Sequence, residues 1–224
     1  MSISASAESA NDLFAIPDGQ VVVHLDATES ETVAQDLLDA RLSVTVQNAD
    51  ATQAQDKVNA HMQKALKAAK KVKTVKVSTG SYQVYQRTLP RTKEQVWQAQ
   101  QTLVLSTTEA ADLLRLLQTI QAENFTMNQL NYRLSPEQTA ETKEALIEKA
   151  LVALQRKAKR IASALKKKHV ELKTVNVVEQ GHSPRPTMLQ SRGMAMSAEM
   201  AEPVAEPGES TVSLTVSATA VLKP

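Results

Sequence analysis

The sequence predicts an α+β protein in which duplicated β-α-β-β units form antiparallel sheets covered by helices. Three observations carry this expectation. The first is one long amphipathic helix near 135–168, where Ile147, Leu151, Leu154, Ala158, Ile161 and Leu165 recur at alternating steps of four and three. The second is the stretch Thr211 to Leu222, where Val212, Leu214, Val216, Ala218, Ala220 and Leu222 alternate with serine and threonine. That alternation is the mark of a strand with one buried and one polar face. The third is an internal echo: strand Leu42–Val46, helix 50–71 and strands 75–86 and 94–106 have the same order as strand 125–134, helix 135–168 and strands 170–179 and 211–222. Its closest local match sets Lys73-Thr74-Val75-Lys76-Val77 against Lys173-Thr174-Val175-Asn176-Val177.

In chain order, residues 1–19 read as a flexible N-terminal lead ending in the turn signal Pro17-Asp18-Gly19. Val21, Val23, Leu25 and Ala27 alternate in a first strand, and Leu42, Val44 and Val46 in a second; the short link between them, around Ser30 to Asp39, favours an antiparallel hairpin. A helix follows from about Asp50 to Lys71, with Val58, Met62, Ala65, Ala69 and Val72 on its apolar stripe and Lys57, Lys64, Lys67 and Lys70 on its outer side. Leu89-Pro90-Arg91-Thr92 supplies the turn between the next two strands, since proline presets the backbone there. Ser106-Thr107-Thr108-Glu109 reads as a capping box opening a linking helix over 107–121, with Leu113, Leu117 and Ile120 as its stripe. In strand 125–134 the apolar phase slips between Met127 and Leu130, which predicts a bulge.

The long helix opens on Ser135-Pro136-Glu137-Gln138, where the serine caps, the proline suits the first helical position and Gln138 completes a capping box. It closes on Lys166, Lys167, Lys168 and His169, cations that complement the carbonyl end of the helix dipole. Residues 180–208 then lose all apolar periodicity and read as a mobile loop. The expected division is a domain over 20–224, with a first unit about 20–106, the linking helix, and a second unit about 123–222.

Composition excludes several function classes. With no cysteine there are no disulfides, thiolate metal sites or cysteine nucleophiles. No run of about 18 apolar residues exists, so no transmembrane helix is expected. A net charge of +2 gives no global bias toward nucleic acid, and aromatic content of 3% withholds the stacking platform of a single-strand binder. Five glycines leave no phosphate-cradling loop, and no Gly-x-Ser-x-Gly is present.

Over roughly residues 20–222 the chain sets in order Val33-Ala34-Gln35-Asp36, Ala40-Arg41-Leu42, the Ala- and Lys-rich helix, Thr74-Val75 leading to Tyr82 and Tyr85, the long helix with its basic end, and Pro203-Val204-Ala205-Glu206-Pro207-Gly208-Glu209. In these residues it resembles the SIMPL-domain family of bacterial periplasmic, secreted or outer-membrane-associated proteins, which includes immunogenic proteins. One departure is visible: the family commonly places a proline beside the aspartate before the second strand, and here Gln35 precedes Asp36. The resemblance implies an α+β fold, periplasmic or secreted localisation with the signal peptide absent from this chain, and large homo-oligomers. It also implies a link to oxidative-stress tolerance, and it brings neither catalytic residues nor cofactors. The expected function is therefore non-enzymatic, acting by self-assembly.

The residues themselves offer two further candidates. Met188, Met194, Met196 and Met200, with His182 upstream, supply soft thioether and imidazole donors for monovalent copper. The bland alternatives for that segment are adaptable packing at a subunit contact and sacrificial oxidation. The other histidines, His24, His61 and His169, have no ligand spacing between them. On the long helix, Lys149, Arg156, Lys157, Lys159, Arg160 and Lys166–Lys168 form a basic face suited to acidic lipid headgroups or an acidic partner, the plain alternative being a solvated helix surface. Asp36 and Asp39 lie near each other without a histidine beside them, and no catalytic role is expected of them.

Overall fold

The structure is a computed structural model that describes residues 17–178 and 205–224. Its elements are β1 (Val21–Ala34), β2 (Leu37–Asn48), α1 (Ala51–Ala69), β3 (Lys76–Thr88), β4 (Gln95–Thr107), α2 (Ala110–Gln121), β5 (Phe125–Arg133), α3 (Pro136–Ala164), β6 (His169–Val178) and β7 (Glu209–Lys223). They form two antiparallel sheets, one ordered β3-β4-β2-β5 and one ordered β1-β7-β6, each covered by helix, so the α+β expectation holds. The described residues fall into two compact units, one of residues 32–138 and 205–210 and a smaller one of residues 17–31, 139–178 and 211–224.

In the larger unit, α1 starts because Asp50 has extended backbone and its Oδ1 accepts the Gln53 N–H at 2.8 Å. Its buried stripe is Ala54, Val58, Met62, Ala65 and Ala69, the last four as the spacing predicts while Val72 falls beyond the helix end, and it packs on Leu42, Val44, Ala99, Leu103 and Leu105 of the sheet. The start of α2 differs from the predicted capping box. Thr107 is still in β4, its hydroxyl accepts the Glu109 N–H at 2.9 Å, and the helix begins after Glu109 with no side-chain cap. The bulge predicted in β5 is present: the partners of β2 step from Gln129 to Met127 and leave Asn128 out.

The hairpin expected between the first two strands does not form. Two-residue hairpin turns need a positive φ at one or both central residues, and neither Gln35 nor Asp36 has one. β1 instead pairs with β7. His24 meets Thr219 at 3.1 Å, Thr28 meets Thr215 at 2.9 Å and Ser30 meets Ser213 at 3.1 Å, a descending match that makes the pair antiparallel. The echo therefore exists in space with a different first strand. The sheet beneath α3 takes β1, while β5 adds to the edge of the other sheet beside β2.

In the smaller unit the buried stripe of α3 is also rotated from the predicted seam. Thr142, Leu146, Ala150, Leu154, Ala158 and Ala162 are buried, while Ile147, Leu151 and Ile161 flank them and Leu165 is exposed. The reason is packing distance: alanines at 150 and 158 let the helix backbone approach Leu214, Val216, Ala218 and Ala220 closely. Ser135 caps α3 as predicted, its hydroxyl accepting the Gln138 N–H at 3.0 Å. The Ser135 N–H itself donates to Asp36 Oδ1 at 2.7 Å.

α3 ends before the basic cluster. Lys167 N–H reaches Ala162 O at 2.8 Å and Lys166 N–H reaches Ser163 O at 3.1 Å, the paired bonds of a Schellman motif. Lys166 occupies its left-handed position with φ 55, where glycine is the unstrained residue. Lys166→Gly is expected to stabilise the protein by about 0.5–1 kcal/mol. Urea unfolding of the two proteins checks this, and a destabilised variant would contradict the assigned helix end.

Candidate functional site: the open edge of the three-stranded sheet

The residues singled out in the sequence go to different places. His24 lies on β1 against Thr219, His61 lies on α1 with its Nδ1 3.8 Å from Glu123, and His169 opens β6 opposite Lys223. Among the described residues no three potential His, Cys, Asp or Glu ligands are gathered. His182, Met188, Met194, Met196 and Met200 lie outside the described residues, as do residues 1–16 of the lead, the last residue of the predicted strand 170–179 and residues 180–204 of the predicted loop. Asp36 and Asp39 are spoken for: Asp36 holds the Ser135 N–H and Asp39 pairs with Arg133.

The basic face of α3 is divided. Lys149 pairs with Glu31 at 2.7 Å, Lys157 donates to the Asp26 carbonyl at 2.8 Å and Lys167 donates to the Gly19 carbonyl. Arg156, Lys159, Arg160, Lys166 and Lys168 make no such side-chain bond among the described residues.

The feature that sequence reasoning missed is the position of β6, which forms as a strand where the sequence predicts one. Among the described residues it is an edge of its sheet, paired on one side with β7. Val170 and Leu172 face the core opposite Leu222 and Ala220. At Lys173 the register shifts, so Val175 and Val177, of opposite parity, come to face the same way opposite Ala218 and Val216. Yet Val175 remains 48% exposed, Val177 38% and Val178 40%. From Thr174 to Val178 the strand carries no charge and four β-branched residues, the composition of a strand that pairs with another chain. That run is readable in the sequence; what the sequence withholds is that the strand lies at an edge.

The first half of β6 differs. Glu171 accepts from Lys173 on its own strand and from Lys223 on β7. The Lys173 bond and then the Lys223 bond hold the Glu171 carboxyl down from 4.5 to about 2. A charged cluster of this kind, beside a bulge, blunts an edge against pairing.

A family model described as SIMPL, a protein of unknown function (DUF541), matches residues 23–220. No curated protein matches the chain.

Because the folded pKa of Glu171 is depressed, its contribution to stability is complete above pH 4.5 and is lost as the pH falls toward 2. Carboxyl NMR titration is expected to place its midpoint near 2, and Lys173→Gln to move it back toward 4.5. Salt of about 1 M is expected to act in the same direction, because the cluster is only partly shielded from solvent. An unshifted midpoint in the wild-type protein would show that the cluster does not form.

Proposed function

We propose, from the premise that this chain belongs to the SIMPL family, that it is a non-enzymatic protein that acts by assembling with copies of itself. The observation that carries the reading is the uncharged, half-exposed second half of β6 at the edge of its sheet. The occupant that fits best is the same strand of a second copy. An antiparallel pair centred on Asn176 sets Val175 of each copy opposite Val177 of the other, and Thr174 opposite Val178. Both valine pairs then lie on one face, and the unmatched backbone groups of the two edges satisfy each other.

Magnitudes fix the expected strength. Completing the burial of a half-exposed valine contributes about 1 kcal/mol, and three valines on each copy compete with an association cost of roughly 4–15 kcal/mol. A single edge contact is therefore weak and concentration-dependent, and higher assemblies need a second contact of their own. The setting that accompanies this reading is periplasmic or secreted, as the resemblance implies.

Sedimentation velocity over about 1–500 μM tests it. Association is expected to rise with concentration, and Val177→Lys is expected to abolish it with the melting temperature unchanged within about 2 °C, since the residue is substantially exposed. Val152→Lys, on the exposed face of α3, is expected to associate like the wild type. A wild-type monomer throughout, or equal loss in both variants, would overturn the edge-to-edge reading.

A further inference from the structure

The smaller unit holds a groove of about 450 Å³ along α3, lined by Ala153, Arg156, Lys157, Arg160 and Ile161. It is open to solvent, and all of these residues lie on one face of the helix. Ala153 and Ile161, partly buried against the core, are its apolar members. Arg156 and Arg160 stand one helical turn apart on its rim, and the Lys157 ammonium is fixed nearby by the Asp26 carbonyl at 2.8 Å. From Lys149 to Lys168 the chain carries eight Lys or Arg residues and no Asp or Glu, so nothing on this part of the helix neutralises the pair.

We propose that this groove binds the phosphate headgroup of an anionic phospholipid, with the two guanidinium groups on the phosphate and the glycerol and upper acyl chain against Ala153 and Ile161. Paired guanidinium forks match phosphate geometry. The apolar members are what distinguish an amphiphile from a free anion. Val152, 56% exposed beside the rim, extends the apolar surface toward a bilayer. A second cleft, between α1 and α2, sets Asp112 beside Lys71 and Arg115, and its mixed charge does not select an anion in the same way.

Vesicle flotation in about 0.1 M salt tests this, using the whole chain with phosphatidylcholine vesicles made with or without phosphatidylglycerol. Binding is expected only with phosphatidylglycerol. The double variant Arg156→Gln/Arg160→Gln is expected to lose about 25-fold in affinity, fivefold for each charge removed at an anionic surface. Lys71→Gln/Arg115→Gln removes the same charge from the other cleft and is expected to stay within about twofold of the wild type. Ile161→Ala, checked for its fold by circular dichroism, is expected to weaken binding severalfold at unchanged charge.

Four results would overturn the proposal: no binding to anionic vesicles, equal loss in the two double variants, full binding by Ile161→Ala, or complete displacement by millimolar inorganic phosphate. The third would leave only headgroup attraction, and the last would make free phosphate the ligand.

Discussion

Between the end of β1 and the start of β2 stand only Gln35 and Asp36, and neither turns the chain back on itself. Two residues without a positive φ cannot close a tight hairpin, so β1 and β2 must find partners elsewhere. β2 becomes an interior strand between β4 and β5, and β1 is left to pair with β7, which arrives from the far end of the chain. The link is held by its polar groups. Gln35 N–H donates to Gly208 O at 2.9 Å, Gln35 Nε2 donates to the buried Ser210 hydroxyl at 3.0 Å, and Asp36 takes the buried Ser135 N–H. A buried donor left without its acceptor costs roughly 1–3 kcal/mol, so these side chains are as constrained as any in the core. The approach is close enough that a Cβ on Gly208 would lie 3.3 Å from the Gln35 side-chain oxygen.

Much of this fold was legible because its local signals are strong. The stripe of α1, the Ser135 cap, the turn at Pro17-Asp18-Gly19 and the bulge in β5 all follow from residues within a few positions of each other. What escaped depends on distance in sequence. The partner of β1 lies nearly two hundred residues away, and only the backbone angles at Gln35 and Asp36 decide against the nearer choice. The seam of α3 departs in part for another reason. Leu154 and Ala158 are buried as the spacing predicts, but the large residues Ile147, Leu151 and Ile161 flank the stripe, because the sheet selects the side where alanines permit close approach. At β4 the capping signal was genuine in composition, but Thr107 was already committed to the strand, and tertiary pairing outweighed it.

The same distinction explains why the candidate site was not read from the sequence. Each other edge in the structure carries a device that discourages pairing. β3 has a register shift after Thr79, with Lys76 and Arg87 near its ends; β5 has its own bulge and Arg133. On β1, Lys157 and Lys149 reach across from α3 to the Asp26 carbonyl and to Glu31. On β6 the bulge at Lys173 and the Glu171 cluster guard the first half alone. Thr174 to Val178 is thus, among the described residues, the stretch of edge without a guard. Seen as sequence it is merely a good strand; its meaning comes from the order of strands around it.

The open edge and the cationic groove belong to the same unit but obey different physics, and that separates them. The pairing proposed at β6 would rest on valine burial and backbone hydrogen bonds, neither of which is screened by ions. Kosmotropic salts strengthen such burial. Attraction at Arg156 and Arg160 falls off within a Debye length of about 8 Å at physiological ionic strength, and shrinks further as salt is added. Low ionic strength therefore favours the charged surface, and high concentrations of sulfate favour the apolar edge. Neither needs the other's residues: Val175 and Val177 lie on a strand, and the arginines lie on the exposed flank of the helix. A bilayer that gathers the chain on its surface would still raise the local concentration at which the weak edge contact must form. In that arrangement the basic helix supplies the crowding and the uncharged strand supplies the specificity.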